Sequence, residues 1–273
     1  VDTTAPTAGT VTMTSTDGGA SSSDGIVGTL TPSFALAVSG TSDGSYTGSG
    51  SNATGISSVV LQVSSDGGTT WVDNATFTAP SGGGTSYTVT AAALTSGTTY
   101  SVRALVTDLA TNTVTSALST TSGAITVDTT APTPGTLTMT STDTGSASND
   151  GIVNNATPAF SLSTATDTAY TGTGHPTAAI ATVTLETSLD SGTNWVTNAT
   201  FTAPTSPATA YTVTAASLAT NTTYKIRARV TDTAGNSATT DLSTTSATIV
   251  VDTTTPTAGT LAIVETDGVT NDG

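Results

Sequence analysis

The sequence contains no cysteine, so no disulfide can staple its fold. Charged side chains make up 8% of it and aromatic ones 4%, which fits neither an ordinary cytosolic enzyme nor a charge-rich disordered chain. Positive charge is scarcest: 4 Lys and Arg stand against 19 Asp and Glu, a net charge of −15. Nucleic acid and anionic lipid both require cationic patches, so neither suits this chain as a partner, whereas a metal cation does. No apolar run approaches the ~18 residues of a membrane span, and no signal peptide opens the chain. A mature or excised segment of a longer protein is therefore expected. No stretch of useful length carries helical periodicity. What remains is dominated by Thr, Ser, Gly and Ala, and β-branched Thr favours strands.

The chain also restarts. It opens VDTTAPTAGT, reads VDTTAPTPGT from residue 127 and VDTTTPTAGT from residue 251. Val1 matches Val127 at an offset of 126 (127 − 1), whereas Trp71 matches Trp195 at an offset of 124 (195 − 71), so two residues are lost near Ser42–Gly44. The organisation read from this is repeat one at 1–126, repeat two at 127–250, and the first strand and loop of a third at 251–273. The period is too long for solenoid repeats of roughly 20–50 residues, and each copy is large enough to hold its own core. Strand-like GAITV and ATIVV run straight into Asp-Thr-Thr-x-Pro without a Gly/Ser linker. Proline fixes its own φ and holds its predecessor extended, so the joints are expected to be short and stiff.

Alternating apolar residues in copy one mark strands at 10–14, 33–38, 57–63, 71–79, 86–92, 94–108 and 114–127. A turn-rich loop, TDGGASSSDG, follows the first, and a long Gly/Ser loop occupies 39–55. Copy two repeats the order. About seven short strands in each copy predict an all-β fold of tandem, seven-stranded, Ig-like antiparallel β-sandwiches. In the sixth strand of copy two, Tyr224, Ile226, Ala228 and Val230 share one face, and Lys225, Arg227 and Arg229 the other. Arg103 lies outward in copy one. Every base therefore sits on the outer side of the same strand, read here as a solvated sheet face.

The segments LTSGTTYSVRALVTD (94–108) and LATNTTYKIRARVTDTAGN (218–236) resemble fibronectin type III and bacterial Ig-like domains. TDTGSASNDGIVNNATPAF (142–160) and the joint VDTTAPT are similar to tandem Ig-like repeats of giant bacterial surface adhesins, and the resemblance covers both copies. It implies that the hydroxyls of Tyr100 and Tyr224 cap backbone at the corner before the sixth strand. Copy one departs from it, since Thr111 stands where copy two has Gly235, so a different turn is expected there. SSDGGTTW (64–71) and SLDSGTNW (188–195) resemble the Asp-box hairpin of sialidase propellers. That hairpin is a folding turn in which Asp caps, Gly permits positive φ and Trp packs beneath. Propeller blades recur at about 40–50 residues, whereas these boxes lie 124 apart (195 − 71), and three arginines are too few for a sialidase site.

Signals of catalysis are weak. The one histidine, His175, has Ser51 as its counterpart, and nothing marks a nucleophile elbow. An intramolecular Lys–Asn isopeptide bond is set aside because copy one has no lysine and Lys225 faces outward. The sequons at Asn52, Asn74, Asn155, Asn198 and Asn221 are expected by chance in a Thr-rich chain. Tyr46 and Tyr170, in YTGSG and YTGTG, are read as packing residues rather than sugar platforms.

Acids recur in three families. The joints carry Asp2, Asp128 and Asp252. The first loops carry Asp17 with Asp24, then Asp143 with Asp150, then Asp267 with Asp272. The turns after strand six pair Asp108 with Asn112, and Asp232 with Asn236. In a sandwich the first loop lies at the downstream pole of its own repeat, and the turn after strand six at the upstream pole. One joint is thus expected to gather Asp17, Asp24, Asp128, Asp232 and Asn236. These are hard oxygen donors, which suits Ca²⁺ with its six to eight oxygen ligands. Several carboxylates within ~5 Å would otherwise repel. The alternative is ordinary turn chemistry, since Asp-Gly and Asn-Asp-Gly form turns without a metal.

The expected function is structural and non-catalytic. The chain reads as a segment of an extracellular bacterial adhesin, stalk or surface filament. Its main partners are neighbouring repeats of the same chain, and its cofactor is Ca²⁺ at the joints. A fibre or surface layer assembled by strand donation is one alternative. A carbohydrate-binding accessory module is another, poorly supplied with 4 Phe, 6 Tyr and 2 Trp.

Overall fold

The computed structural model describes residues 1–17, 24–44, 55–81, 84–120, 123–143, 147, 150–167, 180–205, 209–244 and 247–262. His175, Tyr46, Tyr170, Asn52, Asp267 and Asp272 lie outside them. Among the described residues every regular element is a strand. The first repeat holds β1 (Val11–Met13), β2 (Ile26–Val27), β3 (Ser33–Ala37), β4 (Ile56–Ser64), β5 (Val72–Thr76), β6 (Ser86–Thr90), β7 (Thr98–Asp108), β8 (Thr113–Ala117) and β9 (Ala124–Val127). One sheet runs β1-β3-β6, and the other runs β2-β9-β7-β4-β5 with β8 also on β7. The second repeat has the same layout in β10 (Leu137–Met139), β11 (Ile152–Val153), β12 (Ala159–Leu162), β13 (Ile180–Ser188), β14 (Val196–Thr200), β15 (Tyr211–Thr214), β16 (Thr222–Asp232), β17 (Ser237–Asp241) and β18 (Thr248–Val251). The fold is a tandem pair of Ig-like β-sandwiches.

Period-2 alternation puts one face of each strand inside. Phe34 and Leu36 of β3 pack with Leu61 of β4 and with Val102, Ala104 and Val106 of β7. Phe160, Leu162, Leu185, Ile226, Ala228 and Val230 do the same in repeat two. A fully buried side chain of this size contributes roughly 1.5–3 kcal/mol relative to exposure, so each repeat carries its own core. As the resemblance implied, the Thr95 and Ala219 amides donate to the hydroxyls of Tyr100 and Tyr224.

Four features differ from the sequence reading. The predicted seventh strand is broken: β8 and β9 both pair with β7, but at different stretches, and Leu118 between them turns into the core and bridges Val11. The first loop contains β2, which pairs with β9 in parallel, Val27 beside Val127. The turn at Thr111 has the same shape as its counterpart. Thr111 adopts φ 74° and Gly235 φ 90°, and both amides reach back to the aspartate that opens the turn. Threonine is thus held in the left-handed region that glycine adopts freely. The two lost residues fall before Ser42, because Thr7 bridges Ser42 where Thr133 bridges Thr166.

Candidate metal centre at the joint

The joint aspartates first do local work. In Asp-Thr-Thr the Oδ1 of Asp2, Asp128 and Asp252 accepts the amide of Thr4, Thr130 and Thr254, each at 2.9 Å. This is turn capping of the kind Asp provides anywhere. The parallel pair continues into the joint, where the Asp128 amide donates to the Val27 carbonyl at 2.9 Å.

The second oxygen differs between the joints. Asp128 is fully buried, and its Oδ2 has no hydrogen-bond partner. It lies in a group with Asp167 and Asp232, whose carboxylate oxygens are all within 4.8 Å of one another. All three side chains are buried. The upstream repeat offers the same trio in Asp2, Asp43 and Asp108. Asp252 is exposed. Asp43 and Asp167 were missed in the sequence, hidden in a loop read as Gly/Ser-rich. The available signal was that both copies hold an acid at the same offset (167 − 43 = 124) that relates Asp108 to Asp232.

The turn after strand six positions Asp232. Its Oδ1 accepts the amides of Ala234 and Asn236, and its Oδ2 accepts the Asn236 side-chain amide at 3.0 Å. That amide also donates to the Asp128 carbonyl at 2.9 Å, tying turn to joint. Asp108 and Asn112 repeat the pattern, with a longer reach to the Asp2 carbonyl of 3.4 Å. Asn112 and Asn236 thus enter as donors that orient the acids.

The first-loop acids are not in the trio. Asp17 Oδ2 accepts the Gly25 amide, and Asp24 Oδ1 the Ile26 amide, each at 3.0 Å. Asp143 and Asp150 do the same for Gly151 and Ile152. These bonds close the loop that feeds β2, and the other oxygens of Asp17 and Asp143, both Oδ1, are likewise buried without a hydrogen-bond partner.

Electrostatics separate the two trios. Burial pushes the Asp128 carboxyl up to about 6, against the Thr130 amide, with Asp167 and Asp232 adding repulsion. Burial also raises Asp232, against the donors of Asn236 and Ala234. Burial acts on Asp108 too, but there the donors of Asn112 and Ala110 outweigh it and hold the carboxyl low. Asp17 is raised by burial and by its neighbour Asp24. The fit to a cation is one of chemistry: three buried carboxylates with oxygens within 4.8 Å of one another, among them that of Asp128, whose Oδ2 receives no hydrogen bond.

Other candidate features serve the fold. Asp66 Oδ1 accepts the Ser64 hydroxyl and the Thr70 amide, and these bonds, the Thr70 amide foremost, lower its carboxyl to about 2. Asp190 is used alike. Trp71 and Trp195 pack against the hairpin glycines, their indole Nε1 donating to the Gly68 and Gly192 carbonyls at 2.9 Å, and Arg103 and Arg227 lie over their rings, 4.0 Å from the centroids. The side-chain carbonyls of Asn74 and Asn198 accept the backbone amides of Ala92 and Ala216.

No family model matches the chain, and no curated protein matches it. Among solved structures it is similar to the FN1–FN3 domains of chicken CNTN1, with 12% identity over 86% of this chain and 68% of that one and a TM-score of 0.38. It is also similar to pullulanase type I from Bacillus subtilis complexed with maltose (8%, 79% of this chain, 24% of that one, TM-score 0.22). A cytokine receptor complex gives 10% identity over 84% of this chain and 94% of that one, with a TM-score of 0.27. At such identities and TM-scores none of these likenesses says anything of activity.

Proposed function

We propose that this chain is a non-catalytic, extracellular spacer segment of a bacterial surface adhesin, stalk or filament, whose joints are stiffened by Ca²⁺. The observation that carries the reading is Asp128. One of its oxygens shapes the joint, and the other is buried without a donor among two further buried carboxylates. Three negative charges so placed repel one another unless protons or a cation neutralise them. Asp128, Asp167 and Asp232 would supply carboxylate oxygens, and backbone carbonyls and water would complete the shell. The bound ion would link the strand leaving one sandwich to two loops of the next.

The mechanical part is tested by small-angle scattering of the whole chain in Ca²⁺ and in chelator. Chelation is expected to leave the strand signature in circular dichroism intact while the scattering profile changes to that of a looser rod. Superimposable profiles in the two solutions would sink the stiffening role.

A further inference from the structure

Ile26 and Ala234 are buried, yet neither belongs to the core cluster of its repeat. Ile26 follows the first-loop acids on β2 and alternates with Val27, which enters the core. It is 1% exposed, whereas Ile152, at the same place on β11, is 43% exposed. The other pole shows the same contrast. Thr233 is 5% exposed and Ala234 is buried, whereas their counterparts Leu109, 46% exposed, and Ala110 are open. Strand, loop and turn are alike in the two copies. What differs is that a complete sandwich follows Ile26 and precedes Ala234. The extra burial therefore arises where the sandwiches meet.

Gly28 fixes how closely they meet. A Cβ at this residue would lie 2.8 Å from the Ala234 carbonyl oxygen and 3.5 Å from Asn236 Oδ1. The obstacle is backbone, which cannot swing aside as a long side chain can. Gly28 is not among the residues with positive φ, so glycine is needed here for approach and not for conformation. Its counterpart in repeat two is Asn154. Beside the contact runs an open groove lined by Ser15, Thr16, Gly28, Thr29, Ala234 and Gly235.

We propose that Ile26 and Gly28 on the downstream pole of one repeat dock directly on Thr233 and Ala234 of the next, and that this contact sets the angle of the joint. A cation at Asp128 limits excursions about that angle. The contact itself uses no carboxylate, but it adjoins the trio, since the Ala234 amide donates to Asp232 Oδ1, and so both solutions are needed to tell the two apart. A joint with Asn in place of Gly28 takes a different angle.

The absence of cysteine allows nitroxide labels on the full chain at Thr88→Cys and Thr212→Cys, equivalent exposed sites on β6 and β15. Inter-label distance distributions are recorded by pulsed electron resonance for the native sequence, Gly28→Asn and Ile26→Thr, in Ca²⁺ and in chelator. Gly28→Asn is compatible with folding, because repeat two carries Asn at that place. It is expected to shift the mean distance in both solutions, and Ile26→Thr to widen the distribution in both. If the two variants superimpose on the native chain in both solutions, the docking contact is overturned. If the variants shift while chelation changes nothing, the contact stands and the cation reading falls.

Discussion

Asp128 divides its two oxygens between folding and the candidate site. Oδ1 caps the joint, as Oδ1 of Asp2 and Asp252 does, and Oδ2 is buried without a donor in a carboxylate grouped with Asp167 and Asp232. The first task was legible in Asp-Thr-Thr-x-Pro. The second was legible only in part, because a buried orphan oxygen is a property of surroundings. A pH dependence follows. The folded carboxyl titrates near 6, above its ordinary 3.8. Between those values the cation-free native chain holds a proton that the unfolded chain has released. Stability contributed by this group therefore falls as pH rises through that window. Asp17 and Asp232, also raised, add the same sign. Asp108 is held low and acts in the opposite sense, but only below the ordinary carboxylate range. In chelator the melting temperature is expected to be higher at pH 5 than at pH 7. In Ca²⁺ the order reverses, because protons compete with the ion. A chelated protein that is more stable at pH 7 contradicts this account of the trio.

At the scale of strands, β7 and β16 show how far alternation reaches. Their inner faces fill the cores as the pattern predicted. Their outer faces are not simply solvated. Arg227 Nε donates to Glu186 Oε2 across the sheet, a carboxylate with a side-chain exposure of 8%, while covering Trp195. Arg103 Nε donates instead to the neutral carbonyl of Gln62, and Gln62 donates to Asp73. Removing each arginine should therefore differ in cost. Arg227→Met strands a buried charge and is expected to lose about 2 kcal/mol, and Arg103→Met about 1 kcal/mol or less, in urea unfolding. Equal losses would mean that the ring contact, common to both, dominates. Sequence could not show these partners, since Glu186 and Arg227 are 41 residues apart and meet through strand register. The same holds for the sheet edges. Val11 bridges Leu118, and Thr78 bridges Thr88, so β1 and β6 already have neighbours that would compete with a donated strand.

For the whole molecule, the two trios give the candidate stoichiometry. Calorimetric titration with Ca²⁺ is expected to find two ions per chain; Asp232→Asn should remove one and Asp17→Asn none. Loss of an ion in Asp17→Asn would return the first loop to the site. The repeat period, the sandwich class, the acid-rich joint and the inner face of the sixth strand were determined by the sequence, because alternation, turn residues and self-similarity are local properties that survive without knowing what packs where. Only the tertiary structure decided that Asp167 rather than Asp17 joins Asp128, that Asn236 donates, and that Gly28 meets Ala234. Those outcomes depend on distances of a few ångströms between segments far apart along the chain, which sheet pairing and the meeting of two sandwiches fix and a pattern of letters does not contain.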